Sequence, residues 1–197
     1  MANLEQVRFV TEQYYELHGL RWVIWGVVCF FIAAESAELV PTALILAVVL
    51  PVGLIGFVGA SRYYMRRFGM VVGAKRSYGP TAWSLLAIPA LLLGFAADKW
   101  LETRPFIMPI MFALWFLVQF WMVGRKWRAH YLWIALTMIA VNLMLGFMEW
   151  PEGSLLLERG FVTWTLAGCA MIVGGLCDHL LLSRTLGGKA AEDVRTV

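Results

Sequence analysis

Six long apolar runs dominate the sequence and leave few ways for the chain to fold. A helix of about 20 apolar residues crosses the roughly 30 Å hydrocarbon core of a bilayer, and helices are one of only two structures that satisfy their backbone hydrogen bonds there. The chain is also 61% hydrophobic and only 15% charged, whereas soluble domains carry about 25% charged residues. We therefore predict an all-α, polytopic membrane protein with six transmembrane helices. The predicted spans are residues 20–37, 42–60, 82–97, 106–123, 131–148 and 161–182.

The beginning of the chain is predicted to form an amphipathic interfacial helix that does not cross the membrane. Apolar side chains recur there at steps of three and four, which places them on one face of a helix, and the acidic side chains fall on the other face. Two positions stay open for this helix, either on the inner leaflet or packed against the protein's own cytosolic loops. The apolar face consists of Leu4, Val7, Val10, Tyr14 and Leu17.

Basic residues are distributed unevenly between the segments that connect the runs. Residues 62–81 contain five Lys and Arg residues and no Asp or Glu. Short basic loops beside transmembrane helices stay in the cytoplasm, and with this loop inside, thirteen of the sixteen Lys and Arg residues lie on the cytoplasmic side. We therefore predict a multi-pass protein of the bacterial inner membrane with both termini in the cytoplasm.

This topology divides the chain into three parts. Residues 1–19 form the cytosolic amphipathic helix, residues 20–186 the transmembrane domain, and residues 187–197 a cytosolic tail. The last boundary is placed at Gly187 and Gly188, because glycine favours the end of a helix.

The predicted cytosolic face is rich in cations. Anionic lipid head groups attract such side chains by about 1 kcal/mol each, and an acidic cytosolic protein is the alternative partner. The pattern does not suggest binding to nucleic acid. The candidate partner- or lipid-binding residues are Arg21, Arg62, Arg66, Arg67, Arg125, Lys126 and Arg184.

All three histidines of the chain fall at this same predicted surface. His18 precedes the first run, His130 opens the fifth, and His179 closes the sixth beside Asp178. Histidine is the commonest metal ligand, and a neighbouring carboxylate often orients it, so these four residues are a candidate metal or catalytic site. Separate hydrogen bonding of each histidine is the alternative, since none has local ligand spacing such as H-x-x-x-H. The sequence identifies no cofactor and favours a non-enzymatic protein.

Small residues within the runs predict close helix packing. Gly53, Gly56 and Gly59 repeat in the second run, and Ala170 and Gly174 form a small-xxx-small pair in the sixth. Such residues let helices approach closely, either within one chain or across an interface between copies. We predict a homo-oligomer.

Three stretches resemble a pattern in small, uncharacterised six-pass bacterial inner-membrane proteins. They are Y-Y-E-L-H-G-L-R at 14–21, R-Y-Y-M-R-R-F-G at 62–69 and D-H-L-L-L-S-R at 178–184. This resemblance implies the six-pass architecture and no particular activity. The layout is also similar to the permease subunits of ABC-2-type exporters, which have a cytosolic amphipathic helix, six spans, and a cytosolic loop after the second span that contacts the ATPase.

Three functions are compatible with these observations. The first is a non-enzymatic membrane subunit that acts through helix packing and its basic cytosolic face. The second is an exporter-like permease for a lipid or apolar cargo, because ionisable residues within the runs are sparse. It would need a separate ATPase, since the chain has no G-x-x-x-x-G-K-[ST] loop. The third is an intramembrane enzyme or metal-binding protein that uses the histidines.

Overall fold

The structure, a computed structural model, describes residues 4–68, 106–123 and 127–193. It also describes six single positions, which are Pro89, Leu93, Gly94, Ala96, Ala97 and Trp100. Across this part of the chain every regular element is helical, which confirms the all-α prediction there. Most of the predicted third span, and the predicted loop beyond Phe68, lie outside the described residues.

The helices are numbered in the order in which the described ranges present them. They are α1 (Leu4–Glu12), α2 (Gly19–Ser36), α3 (Thr42–Phe68), α4 (Ile107–Val123), α5 (Ala129–Phe147) and α6 (Arg159–Asp193). A 3₁₀ turn at Leu155–Leu157 precedes α6.

Four of these helices, namely α2, α3, α5 and residues Arg159–Leu186 of α6, are long and apolar enough to cross a membrane. Helix α4 contributes a shorter apolar segment, Ile107–Trp121. The predicted count of six spans stays a prediction. Apolar exposure on the outside of α3 and α5 agrees with a lipid environment, since Ile55 is 71%, Trp133 68% and Phe147 80% exposed. Water disfavours so many large exposed apolar side chains.

Helix α3 contains a widened turn with an identifiable cause. Residues Ile45–Val49 are π-helical, and the Leu50 N–H bonds to the carbonyl of Ile45, five residues back. Pro51 follows at once. Its ring has no N–H to donate to the carbonyl of Ala47 and would collide with that group in a regular α-helix.

The same helix is longer than the sequence predicts. It ends at Phe68 rather than at residue 60. No Pro or Gly lies between residues 61 and 68, and Tyr64, in the middle of this extension, is completely buried. A helical segment rather than a loop therefore holds Arg62, Arg66 and Arg67.

Helix α6 also exceeds its predicted length. It continues through Gly187 and Gly188 to Asp193, so the prediction that these glycines end the helix is wrong. Each glycine costs about 1 kcal/mol of helix propensity. The preceding turn is anchored, because the Gln6 side-chain amide donates a 3.0 Å hydrogen bond to the hydroxyl of Thr185, and the residues that follow the glycines are good helix formers.

The predicted N-terminal helix is shorter than expected. Helix α1 ends at Glu12, and residues 13–17 form turns that lead into α2. The second half of the predicted apolar face is buried in the protein itself, where Val10, Tyr14 and Leu17 pack with Tyr64 of α3 and Leu182 of α6. As in the second of the two predicted positions, this face is buried against the protein itself, but its contacts are with helices α3 and α6 rather than with cytosolic loops. Placement on a leaflet stays a prediction.

Helices α2 and α6 lie backbone to backbone at two pairs of glycines. A Cβ at Gly26 would lie 2.8 Å from the carbonyl oxygen of Gly168, and one at Gly168 would lie 2.9 Å from that of Gly26. Gly19 and Gly175 form a second pair whose added Cβ atoms would collide with the opposite carbonyl oxygens. The helices can approach this closely only because no side chains intervene. This pairing fixes the start of α2 against the middle of α6.

Candidate ligand-binding cavity

The turn between α1 and α2 is held by a network around Tyr64. The Tyr14 hydroxyl donates to the backbone carbonyl of Tyr64 (3.0 Å), and the Leu20 N–H donates to the Tyr64 hydroxyl oxygen (3.1 Å). The Tyr64 hydroxyl also lies 2.8 Å from Nδ1 of His179. Nε2 of the same histidine is 3.4 Å from the Ser183 hydroxyl. These bonds join the turn, α3 and α6 at one point.

His18 lies in this turn, immediately before α2. Its side chain is only 1% exposed, and its ring is stacked on Tyr64 with centroids 4.3 Å apart. Tyr14 approaches the ring edge-on at 4.7 Å. Neither ring nitrogen has a hydrogen-bond partner among the described residues. Burial, assisted by the positive charge of Arg21, lowers the pKa of His18 to about 4, so the imidazole is neutral at physiological pH.

A second polar group surrounds Asp178, a completely buried carboxylate of α6. The Tyr131 hydroxyl donates to its Oδ2 at 2.6 Å. Nη2 of Arg128 lies 3.4 Å from the same oxygen, and Nε2 of His130 lies 3.2 Å from Oδ1. A buried carboxylate is tolerated only with such partners. All three come from the start of α5 or the residue before it.

Arg128 connects this group to the turn before α2. It is 1% exposed, and its Nη1 lies 3.6 Å from Oε2 of Glu16. Burial raises the pKa of the Glu16 carboxyl, and the opposing positive charge of Arg128 limits the rise. One guanidinium therefore faces two carboxylates that belong to segments far apart in the chain.

A cavity of about 570 Å³ opens beside these polar residues. Its wall is contributed by α2, α3, α4 and α6, and its polar end by the turn before α2 and the start of α5. The aromatic part of the wall consists of Trp22, Trp25, Phe57, Phe112, Trp115 and Phe116. The charged or ionisable side chains at the polar end are Glu16, His18, Arg21 and Arg128, with Tyr15, Tyr131 and Gln119 nearby on the lining.

The three histidines make different contacts, two of them with Tyr64 and one with Asp178. His18 stacks on Tyr64, His179 lies within hydrogen-bond distance of Tyr64, and His130 pairs with Asp178. The described part of the chain contains no group of three or more His, Cys, Asp or Glu side chains that could hold a metal ion. The arrangement therefore gives no support to the predicted metal site of His18, His130, Asp178 and His179.

The predicted basic residues separate into two sets. Arg21 lines the cavity, and its guanidinium lies over the Phe57 ring, 5.1 Å from the centroid. Arg125 and Lys126 lie outside the described residues. The remaining predicted residues are exposed and do not line the cavity. Arg62, Arg66 and Arg67 lie in the last two turns of α3, and Arg184 lies in α6, nine residues before its end at Asp193.

The candidate site residues proposed from the sequence omit several that the structure brings together. Arg128, Glu16 and Tyr131 belong to the site because of contacts across the fold. One sequence signal points to them, since Asp178 lies within an apolar run, and a carboxylate in such a position requires a cation or hydroxyl donor nearby. The aromatic wall has no comparable signal, because aromatic side chains occur in all six runs.

The fold and the cavity define a class of protein, namely a helical protein with helices of membrane-spanning length around an amphipathic cavity. Comparison with protein-family models, with curated proteins and with solved structures finds no match to this chain. The resemblances to six-pass inner-membrane proteins and to exporter permeases therefore stay predictions.

Proposed function

We propose that this protein is a non-enzymatic integral membrane protein that binds an amphiphile in the cavity between its helices. The observation that carries this proposal is the cavity itself, in which an aromatic wall leads to a buried polar end. Its volume of about 570 Å³ lies within the range of about 300–1,000 Å³ that is typical of small-molecule sites. Aromatic side chains offer a large apolar contact area for an alkyl or isoprenoid chain.

A basic face lies outside the cavity, and we propose that it contacts the surrounding leaflet and not the bound amphiphile. Exposed Arg62, Arg66, Arg67 and Arg184 lie at the same end of the bundle as the polar end of the cavity, because Tyr64 and Leu182 pack together there. Anionic lipid head groups of the inner leaflet would meet these side chains. An amphiphile could then enter the cavity from that leaflet with its head group at the membrane surface. An exporter permease and an intramembrane enzyme stay predictions from the sequence, since no contact among the described residues favours either.

The proposal is tested by filling the cavity. Gln119 lines it, and Gln119→Trp would occupy part of its volume. Leu136 is 46% exposed on α5 and does not line the cavity, so Leu136→Trp is a matched control that adds the same side chain elsewhere. The readout is the rise in thermal midpoint that single-chain amphiphiles produce in nanodiscs of zwitterionic lipid, because a ligand that binds the native state stabilises it.

We expect amphiphiles to raise the midpoint of the wild type and of Leu136→Trp equally, and to lose most of this effect on Gln119→Trp. A rise that is the same in all three proteins would contradict binding in the cavity. The absence of any rise with every amphiphile would contradict the proposed function as a whole.

A further inference from the structure

We propose that the polar end of the cavity selects amphiphiles with an anionic head group, a carboxylate or a phosphate monoester, which is bound by Arg21, Arg128 and His18. This inference rests on the proposed function and specifies the ligand class of the same cavity. It depends on the hydrogen-bond donors and acceptors that have no partner among the described residues at this end of the cavity.

Most of the described buried polar atoms without a hydrogen-bond partner at this end of the cavity are donors. Among the described residues, no hydrogen-bond partner reaches Nε of Arg21, Nε of Arg128, or either ring nitrogen of His18, and all four atoms are buried. A neutral imidazole provides one further N–H, and a guanidinium can only donate. Buried polar atoms are normally paired, so unpaired donors beside a cavity favour a ligand that accepts hydrogen bonds. Because these four atoms have almost no accessible surface, the ligand reaches them with a small shift of the side chains that carry them.

The net charge of the cavity lining is positive and therefore suits an anionic head group. Two guanidinium groups and one carboxylate, that of Glu16, line the cavity. Asp178 does not line it; its Oδ2 accepts a hydrogen bond from Tyr131, and Arg128 and His130 lie at ion-pair distance, although its Oδ1 has no hydrogen-bond partner among the described residues. Hydrogen bonds from guanidinium to carboxylate or phosphate oxygens are among the strongest in proteins, and away from bulk water they are strengthened further.

The position of the donors also fits an amphiphile. The Arg21 guanidinium is held over the Phe57 ring, and His18 is held by its stack on Tyr64, so neither side chain needs to be ordered when the ligand binds. The aromatic side chains Trp22 and Trp25 continue the lining from the polar end along α2. The head group therefore lies at the turn before α2, and the chain extends along the aromatic wall.

The experiment compares two pairs of probes that differ only in their head group. Lysophosphatidate (monooleoylglycerol phosphate) is paired with monooleoylglycerol, and oleate with oleyl alcohol, with inorganic phosphate as a chain-free probe. Each is titrated against the full-length protein in zwitterionic nanodiscs at pH 8, and the concentration that gives half of the maximal thermal shift is measured. The variants are Arg21→Gln, His18→Phe and, as a matched control on the exposed basic face, Arg184→Gln.

For the wild type and for Arg184→Gln we expect each anionic probe to act at a concentration at least tenfold lower than its neutral partner. In Arg21→Gln this ratio should fall to about threefold or less, and His18→Phe should reduce it in the same direction. If Arg21→Gln does not fold, His18→Phe carries the test alone, because Phe preserves the stack on Tyr64.

Equal binding of the charged and neutral probes by the wild type would overturn this inference and leave the proposed function standing. Binding of neither would overturn both. An equal response to inorganic phosphate alone would overturn the inference in favour of a site for a soluble anion, and an equal loss in Arg184→Gln would overturn it in favour of nonspecific attraction to the basic face.

Discussion

The His18 ring lies parallel to the Tyr64 ring, with an angle of 3° between their planes and 4.3 Å between their centroids. The stack is close enough for full apolar contact, yet the described residues leave both ring nitrogens without a partner. Such an arrangement is unfavourable for the empty protein, because an unpaired buried polar group costs about 1–3 kcal/mol. It becomes favourable when a ligand supplies the missing acceptor.

His18→Phe is therefore expected to stabilise the protein in the absence of ligand. Phe retains the shape of the stacked ring and removes its unpaired nitrogens, so the free energy of unfolding should rise by about 1–3 kcal/mol. Unfolding of the ligand-free protein in nanodiscs measures the change. His179→Phe is the matched control, which should destabilise because it breaks the 2.8 Å contact with the Tyr64 hydroxyl. Destabilisation by both variants would contradict the assignment of His18 as unpaired.

The stability of the wild type should also decline in acid relative to that of His18→Phe. The pKa of His18 is about 4 in the folded protein and 6.5 in an unperturbed histidine, so the unfolded state binds the proton more tightly. Relative to His18→Phe, the wild type has its highest free energy of unfolding above pH 6.5 and loses stability as the pH falls towards about 4. Solvent screening keeps the loss below the roughly 3 kcal/mol that follows from 1.36 kcal/mol per pKa unit.

The relevant measurement is the difference between the two proteins from pH 7.5 to pH 4. Other groups that face His18, namely Tyr14, Tyr15, Tyr64 and Arg21, are present in both proteins, as is the nearby Glu16 carboxyl, so their contributions cancel to first order. A difference that stays constant over this range would contradict the lowered pKa of His18.

Removing the charge of Asp178 should reduce the free energy of unfolding more than removing the Tyr131 hydroxyl that is bonded to it. Asp178→Asn leaves the buried Arg128 guanidinium without its Asp178 counter-charge, and breaking a buried pair in this way costs about 3–5 kcal/mol. Tyr131→Phe removes a single 2.6 Å hydrogen bond to the carboxylate, which is worth about 1.5–3 kcal/mol. Chemical or thermal unfolding of the two variants and of the double variant measures both costs and their coupling. The reverse order of the two costs would contradict the described pairing.

The glycine contacts between α2 and α6 make a further prediction. Gly26→Ala should destabilise the protein by about 1–3 kcal/mol, because its new methyl group would lie 2.8 Å from the Gly168 carbonyl oxygen and force the helices apart. Gly59→Ala is the matched control on α3, where an added Cβ meets nothing within 4 Å. It should be neutral, or stabilise by up to about 1 kcal/mol through helix propensity. The thermal midpoints of the two variants measure these effects. Equal effects of the two substitutions would contradict the close approach of α2 and α6.

The same glycine contacts bear on the predicted oligomer. Gly56 packs against Ile24, and Gly174 packs against Tyr131 and Ile134, so both positions serve packing within the chain. A larger residue at Gly56 or Gly174 would disturb packing within the chain. Its effect could therefore not be assigned to an interface between copies. The homo-oligomer stays a prediction that needs a direct measurement of mass in nanodiscs.

The sequence predicts those parts of the fold that depend on local composition. The spans 20–37, 106–123 and 131–148 agree with α2, α4 and α5 to within two residues at each end, because the change from apolar to polar residues marks their ends. The extensions of α3 and α6 depend on tertiary contacts of Tyr64 and Thr185. Composition does not contain that information.

The candidate site was predictable only in part, for a similar reason. His18 and Arg21 are visible as polar residues at the start of a span, and both line the cavity. Their significance depends on Arg128 and on the aromatic side chains of α4, which are more than 80 residues away in the sequence. The pairing of Tyr131 with Asp178 joins residues 47 positions apart. No local periodicity indicates a contact of that kind.

The most direct test of the account locates a bound amphiphile by photo-crosslinking. Lysophosphatidate with a diazirine in its acyl chain is added to the protein in zwitterionic nanodiscs, and the labelled peptides are identified by mass spectrometry. We predict labelling at the cavity residues Trp22, Trp25 and Trp115, which excess unlabelled lysophosphatidate suppresses and Gln119→Trp abolishes. Labelling confined to outward-facing positions such as Trp133, and unaffected by competitor, would contradict the claim that the cavity binds an amphiphile.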